Sequence, residues 1–245
     1  MQSADRIRQA LAQVSLQRQA CAAQPALAQA VLDVKRLQSQ RFAGTYVDLL
    51  ASPQHRLAAR FFLDELYGDK DYTQRDAQFV RISGPMQTFF PAQVVATAVA
   101  LAQLHALSEQ LDHAMALVWL ARPDQAPATR YAHAWREVGQ RDQRQAQLTD
   151  VMQIGREMTR LTRAPGLRLM LKMMRGPASA AGLGSLQSFL ESGFDTFGQM
   201  SRQSGAAEYF LRTIESREQA LIDQMFDADF VACETALQAT LGQAR

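Results

Sequence analysis

The sequence predicts an all-α protein, and three observations support that fold class. Alanine and glutamine are abundant, β-branched residues are few, and no run of strand length alternates apolar with polar residues. Apolar residues instead recur at helical spacing, between glycines and prolines that divide the chain into segments. We therefore expect a single bundle of about nine helices around one long apolar helix, without a β-strand.

Five helices are predicted in the first half of the chain, each bounded by residues that favour a helix start or end. They begin near residues 3, 25, 53, 73 and 91 and end near residues 23, 50, 68, 84 and 121. Ser3 and the Ser52-Pro53 pair favour helix starts, and Pro25 suits the first turn of the second helix. Gly44 weakens that second helix, and Gly84-Pro85 must kink or end the fourth.

The fifth predicted helix is the longest and most apolar segment of the chain, and it begins at Pro91. It is apolar on more than one face, which predicts the central core helix, with Leu104 and Leu111 buried. The stretch between Val94 and Leu120 is interrupted by Gln103, His105, Glu109, Gln110, Asp112 and His113. We therefore expect this stretch to be too polar for a transmembrane segment.

The second half of the chain begins with the clearest linker, residues 122–129, which contains Pro123 and Pro127. Glycines and prolines then separate further predicted helices at about residues 130–163, 167–175, 185–200, 206–226 and 229–241. We expect a single all-helical domain over residues 1–245, in which the linker offers the one boundary for a subdivision.

Composition narrows the location and the partners of the protein. The 245-residue chain has a net charge of +2, and its two cysteines, Cys21 and Cys233, lie near opposite ends without metal-ligand spacing. Neither a disulfide framework nor a zinc site is indicated, which favours a cytoplasmic protein. Basic and acidic blocks alternate along the chain and can pair with each other, so no nucleic-acid partner is expected.

Two short segments are distinctive, one in the third predicted helix and one in the second half of the chain. Residues 61–68 read FFLDELYG and precede Asp71, Arg75 and Asp76, and residues 174–178 read MRGPA before a Gly-Leu-Gly at 182–184. Together these segments resemble a proteobacterial family of all-helical proteins known only as a domain of unknown function. The resemblance implies a helical fold and a bacterial cytoplasmic protein, and it implies no activity.

The first candidate site is a polar group on the long helix, formed by His105, Glu109, Asp112 and His113. At about 100° per residue, the first three side chains share one face. Imidazole and carboxylate groups on a core helix are typical of bundles that bind iron, manganese or haem. The Glu-x-x-His pairs of di-iron bundles are missing, however. We expect these residues to be the polar stripe of a buried helix, facing solvent or bonded only to backbone.

The second candidate site is a basic segment, residues 160–175, which contains no acidic residue. Its cations are Arg160, Arg163, Arg168, Lys172 and Arg175. Helical spacing places the last three on one edge, opposite a methionine-rich apolar face. Such a helix can lie on an anionic membrane surface, pack on an acidic protein partner or hold an anionic ligand. Alternatively it is a core helix whose cations pair with C-terminal carboxylates such as Glu208, Glu215 or Asp223.

No catalytic residue is assigned, because the chain lacks a phosphate-binding loop, a dinucleotide motif and a nucleophile elbow. Tyr131 and Trp135, four residues apart on a helix, are predicted to be core rather than a base-stacking surface. The sequence thus predicts a cytoplasmic binding or interaction protein rather than an enzyme. We expect it to act through the basic segment and to need no cofactor. The alternative is a metal- or haem-dependent helical-bundle oxidoreductase that uses the His105 face.

Overall fold

The computed structural model describes residues 2–66, 68 and 70–244, of which 84% are helical and none is in a strand. The all-α prediction is confirmed, but the described part of the chain forms thirteen helical segments rather than nine. They are α1 (Ser3–Ala22), α2 (Pro25–Thr45), α3 (Val47–Ala51), α4 (Arg56–Glu65), α5 (Thr73–Phe89), α6 (Ala92–Leu120), α7 (Pro127–Val138), α8 (Arg141–Leu161), α9 (Leu167–Met173), α10 (Arg175–Ala180), α11 (Gly184–Ser201), α12 (Ala206–Asp227) and α13 (Phe230–Gln243).

Several helix boundaries differ from the expected ones: α7 begins inside the expected linker, and α10 spans Gly176-Pro177, where a break was expected. The segment predicted as one helix over residues 130–163 is divided where Gly139 and Gln140 both adopt positive φ, at 63° and 61°. That backbone conformation ends α7 and redirects the chain into α8. The second predicted helix breaks at Tyr46 into α2 and α3. In the opposite sense, α5 continues through Pro85, because its packing along α1 offsets the lost backbone donor.

Helix α6 is central, as predicted, and packs against α1, α2, α5, α7 and α8. Leu104 and Leu111 are buried, with 6% and 2% of their surface exposed. The first half of α6 joins α1 and α5 in one hydrophobic cluster, and its last turns join a larger cluster built from the later helices and α2. Residues 107–114 of α6 belong to neither cluster. This middle stretch carries Glu109, Asp112 and His113.

Helix α6 also has the length and composition of a membrane span. An 18-residue window of it reaches a mean hydropathy of 1.2, in contrast to our expectation that its polar residues would prevent this. Half of that window is buried inside the fold, as it is in the core helix of a bundle.

Helices on both sides of the linker pack on each other. The C-terminal helix α13 packs on α2, and α8 packs on α6. Gly44 of α2 lets the backbone of α13 approach closely, since a Cβ placed there would lie 1.9 Å from the Thr240 carbonyl oxygen.

Candidate functional site

A cavity of about 140 Å³ lies beside the middle of α6. We call it the central cavity. Its lining comes from α1, α2, α4, α5, α6, α7, α8, α11 and α12, so elements of both hydrophobic clusters meet around it. A smaller apolar space of about 50 Å³, the side cavity, shares Phe62, Leu104 and Phe189 with it. The central cavity therefore has a polar part along α6 and an apolar part that leads to the side cavity.

Three charged residues reach the central cavity from positions that normally hold core residues. Arg144 of α8 shares a buried stripe with residues 148 and 152, and Arg41 of α2 follows buried residues 34 and 37. Glu218 of α12 lies between the buried residues 214 and 222. All three are buried. Helical periodicity alone identifies them as charges at apolar positions, whereas they belong to no motif and to no exposed basic stretch.

Two of the cations around the cavity are ion-paired. Lys35 Nζ donates to Glu109 Oε1 at 2.6 Å. Burial alone would raise the pKa of Glu109, but the charge and hydrogen bond of Lys35 hold that pKa below its usual range. Arg41 is ion-paired with Glu218, whose Oε1 also accepts a hydrogen bond from the Tyr46 hydroxyl at 2.9 Å. Within each of these two pairs, the positive and the negative charge neutralise each other.

Asp112 lies in the same region, and no cation among the described residues is in contact with it. Its Oδ1 accepts a hydrogen bond from Gln38 Nε2 at 2.9 Å. The residue lines the central cavity and is partly buried. Burial raises its pKa, an effect that the charges of Lys35 and Arg144 oppose and that of Glu109 reinforces. Asp112 thus resists ionisation, whereas Glu109 one turn away favours it.

Most of the guanidinium group of Arg144 has no hydrogen-bonding partner among the described residues. Only 4% of its surface is exposed, and its guanidinium lies 3.5 Å from the centroid of the Trp135 ring. Its Nε and Nη2 have no hydrogen-bond acceptor among the described residues, and neither has the buried indole Nε1 of Trp135. Burial lowers the pKa of Arg144, although an arginine stays charged in proteins. Each buried donor left unmatched costs about 1–3 kcal/mol.

The Tyr131 hydroxyl lies between these groups and α2. It is buried near Gln38 without reaching hydrogen-bond geometry. Burial raises the pKa of Tyr131, so the hydroxyl stays protonated and available as a donor. Tyr131 and Trp135 are buried, as the sequence predicted, but they line a cavity rather than filling a closed core.

The side of the cavity toward α1 and α5 carries a network of charges. Asp76 Oδ2 accepts a hydrogen bond from Arg18 Nη1 at 2.8 Å and lies 2.9 Å from His105 Nε2. Burial would raise the pKa of Asp76, but its hydrogen bond with His105 and the charges of His105, Arg75 and Arg18 lower it overall. Burial also raises the pKa of Tyr72 to about 12. This network joins α1, α5 and α6.

The four residues of the first candidate site do not face solvent or bond only to backbone, so that expectation is wrong. Their side-chain partners lie on neighbouring helices: His105 with Asp76, Glu109 with Lys35 and Arg18, Asp112 with Gln38, and His113 with Cys21 at 3.1 Å. Most of these partners are cations or amides rather than further ligands. In residues 2–66, 68 and 70–244, no group of three or more His, Cys, Asp or Glu is arranged to hold a metal ion.

The basic segment lies at the surface, and α9 has no buried residue, so a core helix here is excluded. Arg168 pairs with Asp195, Arg175 with Glu191 and Arg160 with Glu157, instead of the C-terminal carboxylates we had considered. Those carboxylates pair elsewhere: Glu208 with Arg212, Glu215 with Arg156 and Asp223 with Arg141. Arg163 and Lys172 are exposed. Asp195 and Glu191 both belong to α11, which packs on α9 and α10, whereas Glu157 lies one turn before Arg160 on α8.

The segment that reads FFLDELYG belongs to α4 and the turn after it, and Tyr67 in this segment lies outside the described residues. Phe62, Leu66 and Gly68 line the central cavity, and so do Arg75 and Asp76 of α5. The MRGPA segment, by contrast, lies around α10, where Ala178 is the buried residue. The first of the two segments is therefore part of the cavity wall.

A family model described as "Domain of unknown function (DUF8198)" matches residues 17–231 of the chain. This range includes all of the residues that line the central cavity except Leu11. No curated protein and no solved structure matches the chain.

Proposed function

This chain belongs to the DUF8198 family, and we propose that it is a binding protein that holds a small organic ligand in its central cavity. The observation that supports this most strongly is the set of buried donors on Arg144 and Trp135 that no described residue satisfies. Buried polar groups in folded proteins are nearly always hydrogen-bonded, so unmatched donors on a cavity wall indicate a missing acceptor.

The size of the cavity limits the ligand. Its volume of about 140 Å³ is close to the roughly 150 Å³ of an engineered cavity that binds benzene. The side cavity adds about 50 Å³ of apolar space. A ligand with one ring or a short alkyl chain and one polar group therefore fits the two spaces together.

Two measurements test the proposal. Native mass spectrometry of the purified protein should show a non-covalent adduct that disappears on denaturation, and toluene or benzyl alcohol should raise the Tm of adduct-free protein by a few degrees. Ser108→Phe places a ring in the central cavity and should abolish the Tm increase. Ser216→Phe, at an exposed position on α12, should preserve it. The absence of both an adduct and any Tm increase would contradict the proposal.

We propose a second binding surface on the basic segment, for which the apolar exposure of α9 is the specific support. Leu169 and Met173 are 63% and 69% exposed, and Lys172 beside them is exposed as well. Three cations near an anionic membrane contribute at most about 3 kcal/mol, because Arg168 and Arg175 also pair with Asp195 and Glu191, and salt weakens the attraction. Co-sedimentation with phosphatidylserine vesicles should therefore fall in an Arg168→Gln/Lys172→Gln/Arg175→Gln variant and at high salt. Equal sedimentation of both proteins would contradict this surface.

A cytoplasmic location and a proteobacterial origin remain part of the proposal. Support for the former comes from Cys21 and Cys233, which are both free thiols. We propose no catalytic residue; the alternative function is that of an iron, manganese or haem enzyme that uses the His105 face.

A further inference from the structure

We infer that the ligand of the central cavity is an organic acid, whose carboxylate is bound by Arg144 and whose apolar body points toward the side cavity. This inference rests on the proposed function and adds the chemical class of the ligand.

Along the polar part of the cavity, Arg144 is a cation that forms no ion pair with a described carboxylate, although the charge of Asp112 acts on it from nearby. Lys35 is paired with Glu109, and Arg41 is paired with Glu218. Asp112 is hydrogen-bonded by the neutral amide of Gln38. Arg144 thus keeps its positive charge in a buried position with no ion pair to a described carboxylate. A buried charge without a partner is strongly unfavourable, and a bound anion would remove that penalty.

The two Arg144 nitrogen atoms without an acceptor are a pair of donors that can bind a carboxylate. Nε and Nη2 lie on the same edge of the planar guanidinium, and their N–H groups point in parallel. Two parallel donors match the two oxygens of one carboxylate. Trp135 covers the face of the guanidinium and leaves this edge free, while its own Nε1 is an additional unmatched donor.

The rest of the lining favours an organic acid over inorganic phosphate. Beyond Arg144, the wall continues with Phe62, Leu104 and Phe189 into the side cavity, which offers no polar group to a second oxyanion. A dianion would also be repelled by Glu109 and Glu218, and Arg144 alone would not balance its two negative charges. Because burial raises the pKa of Asp112, that group opposes a single negative charge less than an ordinary carboxylate would.

The test compares three probes of known charge at pH 7: benzoate, its neutral isostere benzamide, and inorganic phosphate, by calorimetry on adduct-free protein. Wild type should bind benzoate at least about tenfold more tightly than benzamide, since bonds to a buried charge are worth about 1.5–3 kcal/mol. Phosphate should bind more weakly than benzoate. A benzoate affinity equal to that of benzamide or of phosphate would overturn the inference.

Variants on α8 assign the effect to one side chain. Arg144→Gln should reduce the preference for benzoate over benzamide to about one while benzamide still binds, which also shows that the cavity is intact. Arg144→Lys, which keeps the charge but lacks the paired donors, should retain part of the preference. Arg141→Gln, an exposed residue on the same helix, should keep all of it. An unchanged preference in Arg144→Gln would overturn the assignment to Arg144.

The same data separate the two proposals. If wild type binds benzamide but not benzoate, the inference about charge fails and the ligand cavity stands. If neither aromatic probe binds and no native adduct is present, the proposed function itself fails.

Discussion

Asp76 and Asp112 are two carboxyl groups that line one cavity and whose pKa values shift in opposite directions. Asp76 has Arg18, Arg75 and His105 as neighbours, and they lower its pKa despite burial. Asp112 has an amide partner, and burial raises its pKa. The two groups thus differ in the charge of the partners that offset the effect of burial. It predicts opposite effects of the same substitution at the two positions.

Asp76→Asn should destabilise the protein by about 3 kcal/mol at pH 7, because it leaves Arg18 and His105 beside a neutral group in a buried site. The folded-state pKa of Asp76 lies below the unfolded value of about 3.9, so its contribution is present above that pH and is lost as the pH falls further. Urea unfolding should show the difference between the two proteins shrinking toward about pH 3. The exposed control Asp5→Asn should change stability by less than about 1 kcal/mol. A loss equal to that of the control would refute the role of this network.

Asp112→Asn should leave the protein equally stable or more stable at pH 7. Its pKa is raised in the folded state, so ionisation of the wild-type group opposes folding as the pH rises above the unfolded value of about 3.9. An asparagine oxygen still accepts the hydrogen bond from Gln38. Urea unfolding of the two proteins should give equal stability near pH 3 and a gain for the variant at pH 7. A loss of more than about 1 kcal/mol at pH 7 would mean that Asp112 acts as a buried counter-ion.

Only some of the residues that form the site could be predicted from the sequence. His105, Glu109 and Asp112 were recognised as a polar face, and all three line the cavity. Their partners Lys35 and Arg18 were not recognised, because these residues belong to helices far away in the chain and only packing brings them to α6. Arg144 was detectable in principle, as a charge in an apolar stripe, but its missing acceptor is a property of the fold.

At the scale of the helix, α6 combines a buried apolar surface with a polar middle. Leu111 belongs to the buried side and borders the central cavity. Leu111→Ala should cost about 2–5 kcal/mol in thermal or urea unfolding, since it enlarges a space that the surrounding helices cannot close. Leu117→Ala is the matched control on the same helix, 51% exposed, and should cost less than about 1 kcal/mol. Similar losses in both variants would show that α6 is not central.

The contact between α2 and α13 depends on a glycine. Gly44→Ala places a methyl group against the backbone of Thr240, which cannot move aside as a flexible side chain does, and should cost about 3 kcal/mol or more. Gly242→Ala, in the last turn of α13, has nothing within 4 Å and should be neutral or slightly stabilising. Thermal unfolding distinguishes the two. A neutral Gly44→Ala would mean that α2 and α13 do not approach this closely.

Helix boundaries followed the sequence where a local signal and the packing agree. The starts at Pro25 and Thr73 and the long apolar helix belong to this group. At Pro85 the local signal for a break is overcome by packing on α1. At Gly139 a glycine without a neighbouring proline ends a helix that periodicity alone would continue.

At the scale of the whole molecule, two hydrophobic clusters share α6 and meet around a cavity that is partly charged. The fold class follows from composition and periodicity, but the cavity does not. It arises from side chains of nine helices, and no local pattern records which of them leave space between them. A ligand that reaches Arg144 and the side cavity would contact elements of both clusters and should stabilise the protein as one unit.

A crystal structure of the protein grown in the presence of benzoate would show directly whether Arg144 binds a carboxylate. We expect density for one carboxylate with its oxygens within hydrogen-bond distance of Arg144 Nε and Nη2, and the ring against Phe62 or Leu104. A central cavity that holds only water, with Arg144 turned to form an ion pair with Asp112, would contradict this expectation.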